Sequence, residues 1–195
     1  MTSNRTREQI IDVADTLFYQ RGYAHTSFRD IADNLRISRG NFYYHFKTKD
    51  EILEAVVHRR MANTREMLAT WEGQSDTPVE RIRCFIRILL TNWSKIKLYG
   101  CPVGTLSAEL AKLEHDAHSH AAGIFQLFRE WLRQQFVLMG RKQDADELAL
   151  EVLTFSQGVA AIGNAFHDKA FVSRQVEQKC AWLDTLDPDR ISEPD

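Results

Sequence analysis

Residues 26–46 read TSFRDIADNLRISRGNFYYHF, and this stretch decides the fold. Thr26 or Ser27 starts a helix, and Asp30 stands three residues after Ser27, the spacing of a capping box. Phe28, Ile31, Ala32 and Leu35 then recur at helical intervals and give that helix one apolar face. Arg36, Ile37 and Ser38 make a turn, with Ser38 as the N-cap of a second short helix. In that second helix Phe42 and Phe46 are four apart and share a face, which predicts an inward anchor on Leu17, Ile31 and Leu35. Arg39, Asn41, Tyr43 and Tyr44 then point elsewhere. So short a helix is unstable alone and exists only if its buried pair pins it to neighbours. Two short helices joined by a tight turn predict a helix-turn-helix.

Working outward, the pattern stays helical. A first helix over about residues 5–20 carries Ile10, Ala14, Leu17 and Phe18 on one face, and Gly22 follows it as a stop. Thr48 opens a long fourth helix with Glu51 as its box partner. Thr77, Pro78 and Glu80 give the N-cap, N1 and N3 of a fifth, expected to run to about Lys97. A sixth is marked by Leu106, Leu110 and Leu113, and a seventh spans about residues 119–139 with Gly140 as its stop. An eighth opens at Asp144 and a ninth at Ser173, and residues 188–195 are expected to fray. The fold class is therefore all-α. Residues 1–48 form a helix-turn-helix domain, and a long helix joins it to a helical bundle in residues 49–195.

Composition bounds the function loosely. The chain has 195 residues and a net charge of −2, with +2 on residues 1–50 and −4 on the rest. That asymmetry permits a nucleic-acid contact at the front without demanding one. No apolar run is long enough for a bilayer and no signal-peptide pattern opens the chain. Three separated cysteines give no disulfide framework, so a cytoplasmic compartment is the simplest expectation. There is no Walker loop, HExxH or GxSxG motif, so nothing points to an enzyme or a cofactor. A helical adaptor that binds only protein would leave Arg39, Asn41, Tyr43, Tyr44 and Lys49 unexplained.

The outer face of the third helix suits DNA. An arginine can reach guanine O6 and N7, while an amide and phenols can meet base edges or phosphates. Gly40 lets a backbone come close. Lys49, with the N–H groups of the fourth helix's first turn, makes an anion site suited to a phosphate.

Residues 26–56, TSFRDIADNLRISRGNFYYHFKTKDEILEAV, resemble the DNA-binding signature of the tetracycline-repressor (TetR) family, and REQIIDVADTLFYQRGY is similar to that family's first helix. The resemblance is specific over residues 5–57. It implies that Ser27 and Arg29 touch the DNA backbone or groove edge. It further implies that Arg39, Gly40, Asn41, Tyr43 and Tyr44 face the major groove, and that His45 and Lys49 hold phosphates. The family's members are all-helical homodimers that bind palindromic operators, usually repress, and are released by a small molecule in the C-terminal bundle. The last two helices would then form a four-helix interface with a partner.

In the bundle, Trp93, Phe128 and Phe155 are candidate ligand-lining residues among a larger apolar set. The eighth helix carries SQGVAAIGNAF, where Gly158, Ala160, Ala161, Gly163 and Ala165 suit close helix approach, either to a partner or within one subunit. Cys101 sits in a Gly/Pro turn before a helix, where a thiol is either buried and inert or reactive. The segment YGCPVG is similar to the one that carries a sensing cysteine in electrophile- and oxidant-responsive TetR-family repressors. Glu114–His120 concentrates three histidines and two acids, but no further ligand pattern supports it, so no metal is expected.

Overall fold

The computed structural model describes residues 2–187, apart from the side chains of residues 2–4 and of Arg39. The expected fraying of residues 188–195 falls outside the described residues. Among those described, every regular element is a helix: α1 (Thr2–Arg21), α2 (Phe28–Leu35), α3 (Arg39–His45), α4 (Lys49–Gln74), α5 (Pro78–Thr91), α6 (Trp93–Tyr99), α7 (Pro102–Lys112), α8 (His118–Leu138), α9 (Ala145–Phe166) and α10 (Lys169–Asp184).

The starts and stops follow from local chemistry. Ser27 caps α2 with a full capping box, and Arg36 ends the helix in the left-handed region at φ 55°. Ser38 caps α3 by accepting the Asn41 N–H. Thr48 accepts the Glu51 N–H at 3.1 Å, while Glu51 reaches one residue further back than in a standard box and accepts the Lys47 N–H at 2.7 Å. Thr77 and Pro78 open α5 as expected.

Two boundaries differ from the sequence expectation. The fifth helix does not reach Lys97, because Asn92 sits at φ −97°, ψ 9° and divides it into α5 and α6. Asparagine is a weak helix former, and no proline or glycine advertises the break. The last helix opens at Lys169 rather than Ser173. His167 turns the chain in the left-handed region at φ 53°, and Asp168 caps by accepting the Phe171 N–H at 2.9 Å.

The chain divides into two compact units. The first comprises the residues up to Asn63 together with Pro102–Ile124. It therefore reaches past the boundary expected at residue 48, taking in the front of α4, all of α7 and the start of α8. Its core gathers Ile10, Ala14 and Phe18 of α1, Ile31 of α2, Phe42 of α3, Ile52 and Val56 of α4, and Leu106 and Leu110 of α7. Burying one such side chain stabilises by roughly 1.5–3 kcal/mol. Arg60 of α4 joins three elements here: it donates to Asp15 of α1 and to the Pro102 carbonyl of α7, both at 2.6 Å.

The second unit comprises Thr64–Cys101 and the residues from Phe125 onward. Ile82, Phe85 and Ile86 of α5 are buried, as are Val152 of α9 and Val172 and Val176 of α10. Arg83 of α5 donates to Asp184 at the end of α10 at 2.5 Å. Gly163 shows why α9 needs a missing side chain: a Cβ there would lie 2.6 Å from Val172 Cγ2 and 3.1 Å from the Trp93 ring. Gly163 and Ala160 are thus buried inside the subunit, whereas Gly158, Ala161 and Ala165 lie on the exposed side of the same helix.

Candidate nucleic-acid interface

The third helix is built as an anchored rib. Phe42 and Phe46 are 1% and 2% exposed, so the pair four residues apart is the inward anchor. Phe28 of α2 stands edge-on to Phe42 with ring centroids 5.1 Å apart. Arg7 of α1 lies 5.0 Å over the Phe46 ring. The opposite face is open: Tyr43 is 46% and Tyr44 71% exposed, and Asn41 is exposed beside them. Tyr43 is nevertheless braced, its ring 5.5 Å from Phe28 and 6.3 Å from Phe42. Tyr44 stands edge-on to His45, which is half-buried. The Arg39 backbone opens the helix; its side chain lies outside the described residues.

Ser27 and Arg29 sit on the neighbouring α2. The Ser27 hydroxyl is engaged by its cap, donating to Asp30 at 2.5 Å and accepting the Asp30 N–H. That hydroxyl holds the Asp30 carboxyl below the usual carboxylate range. Arg29 is exposed and pairs with Asp33 one turn on, at 3.3 Å; a pair so exposed stabilises little. A hollow of about 280 Å³ lies between α2 and α3, walled by Phe28, Ala32, Ile37, Phe42 and Tyr43, with Arg29 and Asp33 at its polar side.

Nothing inside the molecule requires glycine at position 40. A Cβ built there meets nothing within 4 Å, and the residue is helical. Alanine at this position is expected to stabilise α3 by about 0.5–1 kcal/mol. If DNA backbone passes close to Gly40, the same Gly40→Ala change weakens binding to a specific duplex while raising the melting temperature. A variant that is both more stable and equally tight in titration would show that the glycine has no role in binding.

Lys49 stands in a different setting from the one its sequence position suggested. Its Nζ donates to the Tyr23 carbonyl at 3.0 Å and lies 4.1 Å over the Tyr23 ring. An ammonium has three donors, so this bond leaves capacity for a phosphate. Around the same turn gather Tyr23 and Asp50, which no sequence motif marks, and His115 from the Glu114–His120 run. The Tyr23 hydroxyl donates to Asp50, and His115 Nε2 lies 3.3 Å from both groups. His115 Nδ1 accepts the Ala117 N–H at 3.0 Å, which in the neutral ring places the proton on Nε2, facing Asp50. Burial, then the Asp50 contact, push the Tyr23 phenol upward; the Tyr23 hydrogen bond holds Asp50 low. His115 thus serves the α1–α2 turn, and among the described residues no cluster of three metal-ligating side chains occurs.

The four bundle candidates lie in the second unit. Trp93 and Phe128 are each 8% exposed, Trp93 against Gly163 and Phe128 edge-on to Phe85 at 5.2 Å. Phe155 is half-buried with Lys179 Nζ 5.3 Å from its ring, and Cys101 is half-buried. None of the four borders the hollow between α2 and α3.

Residues 10–56 match the family model described as bacterial regulatory proteins, tetR family. An uncharacterized HTH-type transcriptional regulator encoded in the lacX 3' region of Lactococcus lactis subsp. lactis is 29% identical over 158 residues, covering 80% of this chain and 75% of that protein. The HTH-type transcriptional regulator TtgR of Pseudomonas putida is 33% identical over 96 residues, 49% of this chain and 45% of that one. In fold, the crystal structure of a TetR-family transcriptional regulator from Cytophaga hutchinsonii superposes with a TM-score of 0.84 over 96% of this chain and 98% of that one, at 19% identity.

Proposed function

We propose that this chain, which belongs to the TetR family and is a DNA-binding transcriptional regulator rather than an enzyme, acts as a homodimeric repressor on a palindromic operator and leaves it on binding a small molecule. The observation that carries the reading is the two-sided α3: a fully buried Phe42/Phe46 pair fixes a helix whose exposed side offers an amide and two phenols. Tyr43 and Tyr44 face the major groove with Arg39, Gly40 and Asn41. Ser27 and Arg29 approach from α2, and His45 and Lys49 hold phosphates.

The exposed side of α9 supports a second copy of the chain as partner. Leu150 and Ile162 are each 42% exposed and Phe166 is 72% exposed, on a face that also carries the small residues Gly158, Ala161 and Ala165. The effector site is assigned to the bundle at Trp93, Phe128 and Phe155, with Cys101 as the position where a thiol-reactive effector would act. Residues 1–48, with Lys49 at the start of α4, bind DNA, and the rest of residues 49–195 serve effector binding and dimerisation. Among the described residues no helix is long and apolar enough to cross a membrane, in keeping with action on cytoplasmic DNA.

The test is a binding isotherm on a duplex selected by the intact protein from random-sequence DNA, repeated across salt concentrations, with sedimentation of the free protein. The expected result is a sedimenting dimer whose affinity for DNA falls steeply with salt. A monomer at micromolar concentration, or affinity indifferent to salt, contradicts the reading.

A further inference from the structure

The turn between α1 and α2 is held from a helix about ninety residues away in sequence. Gly22, at φ 89°, closes α1, and its missing side chain leaves a slot: a Cβ there would lie 2.9 Å from Glu109 Oε1 and 3.2 Å from Oε2. Glu109, on α7, fills that slot. It accepts the Tyr23 N–H on one oxygen and the Ala24 N–H on the other, each at 2.9 Å. These two amides follow the end of α1, and the carboxylate satisfies both. Thr26 and Lys49 tie further groups of the turn: the Thr26 hydroxyl donates to the Gly22 carbonyl at 2.8 Å, the Thr26 N–H to the Tyr23 carbonyl, and Lys49 to that same carbonyl. Thr26 is 1% exposed and directly precedes Ser27, the cap of α2. The carboxylate therefore sits at the joint that sets how α2, and with it α3, leaves α1.

We infer that Glu109 is a positioning residue for specific DNA binding: its carboxylate, delivered by α7, locks the α1–α2 turn and so fixes the reading helix. The inference rests on the proposal that the outer face of α3 reads DNA. Glu109 does not touch DNA; it acts through the Tyr23 and Ala24 amides. Two charge-assisted hydrogen bonds to one carboxylate make a rigid link, and no neutral side chain of the same length offers two acceptor oxygens. The link also makes the reading head depend on where α7 lies, although α7 is absent from the helix-turn-helix as the sequence delimits it.

The test compares intact protein with Glu109→Ala, Glu109→Gln and, as a control, Tyr43→Ala. Each is titrated with the selected duplex and with a random duplex of equal length, and amide exchange is followed at Tyr23 and Ala24. Loss of two charge-assisted bonds is expected to lower Glu109→Ala affinity for the selected duplex about ten-fold or more. Binding to random DNA, which depends on surface charge rather than on helix placement, is expected to stay within about two-fold. Exchange at the two amides is expected to speed up while exchange elsewhere does not. Glu109→Gln keeps one acceptor, so it falls between the two. Unchanged specific affinity in Glu109→Ala, with Tyr43→Ala weakened, overturns the positioning role and leaves the α3 reading standing. Unchanged affinity in Tyr43→Ala overturns the α3 reading, and this inference with it. If the alanine variant fails to fold, the glutamine variant decides: intact specific affinity there also overturns the role.

Discussion

Tyr43→Ala is expected to reduce affinity for the selected duplex by about thirty-fold or more, the loss typical of a binding hot spot. The reason lies in how the ring is held. Tyr43 is about half exposed, yet its buried edge rests on Phe28 and Phe42. A braced ring gives up little conformational freedom on binding, so most of its contact energy appears as affinity. The alanine variant also loses an aromatic contact worth about 0.5–1.5 kcal/mol, so its stability must be measured alongside. Tyr43→Phe separates the two effects, because it keeps the brace and removes only the hydroxyl. Gel-shift titration at fixed salt, with a thermal melt of each variant, reads both. Full affinity in a folded Tyr43→Ala protein would remove this residue from the interface.

The second large effect is on folding. Phe42 is 1% exposed and belongs to the core of the first unit. Truncating it to alanine is expected to cost about 3–5 kcal/mol, combining lost burial with the cavity left behind. The damage falls first on α3. A helix of seven residues is unstable alone, and the Phe28 and Tyr43 rings both lean on Phe42. Urea unfolding should show the lowered midpoint, and amide exchange should show α3 opening before α1. Specific DNA binding is lost with it, but for a reason that the melt exposes, unlike the loss in Tyr43→Ala. A change in stability below about 1 kcal/mol would mean that Phe42 is not the anchor.

What could be read from the sequence was what depends on neighbours within a few residues. Ser27 with Asp30, Thr77 with Pro78 and Glu80, and Phe42 with Phe46 are local spacings, and all of them appear in the structure as caps and anchor. Gly140 likewise ends a helix, at φ 88°. The division of residues 78–99 at Asn92 was not legible, since an asparagine inside an amphipathic pattern breaks some helices and not others. Asp168 and Ser173 are about equally good caps; the left-handed turn at His167 settles the choice.

The candidate site divides in the same way. The inward and outward faces of α3 follow from a period of 3.6 residues. The setting of Lys49 over Tyr23, the His115 contact with Asp50 and the grip of Glu109 on the α1–α2 turn bridge 26, 65 and 86 residues. No periodicity encodes such pairs. Gly22 was the one local clue, read as a helix stop, and its second role as a slot for a carboxylate emerges only when α7 is in place.

In the proposed complex the exposed face of α3 lies against DNA bases. Photocrosslinking tests it most directly: the selected duplex is rebuilt with 5-bromouracil in place of thymine, irradiated with the protein bound, and the attached peptide identified. Attachment is expected within residues 39–45, at Tyr43 or Tyr44 foremost, and is expected to be lost in Tyr43→Ala. Attachment confined to another element, with residues 39–45 unlabelled at every substituted position, would contradict it.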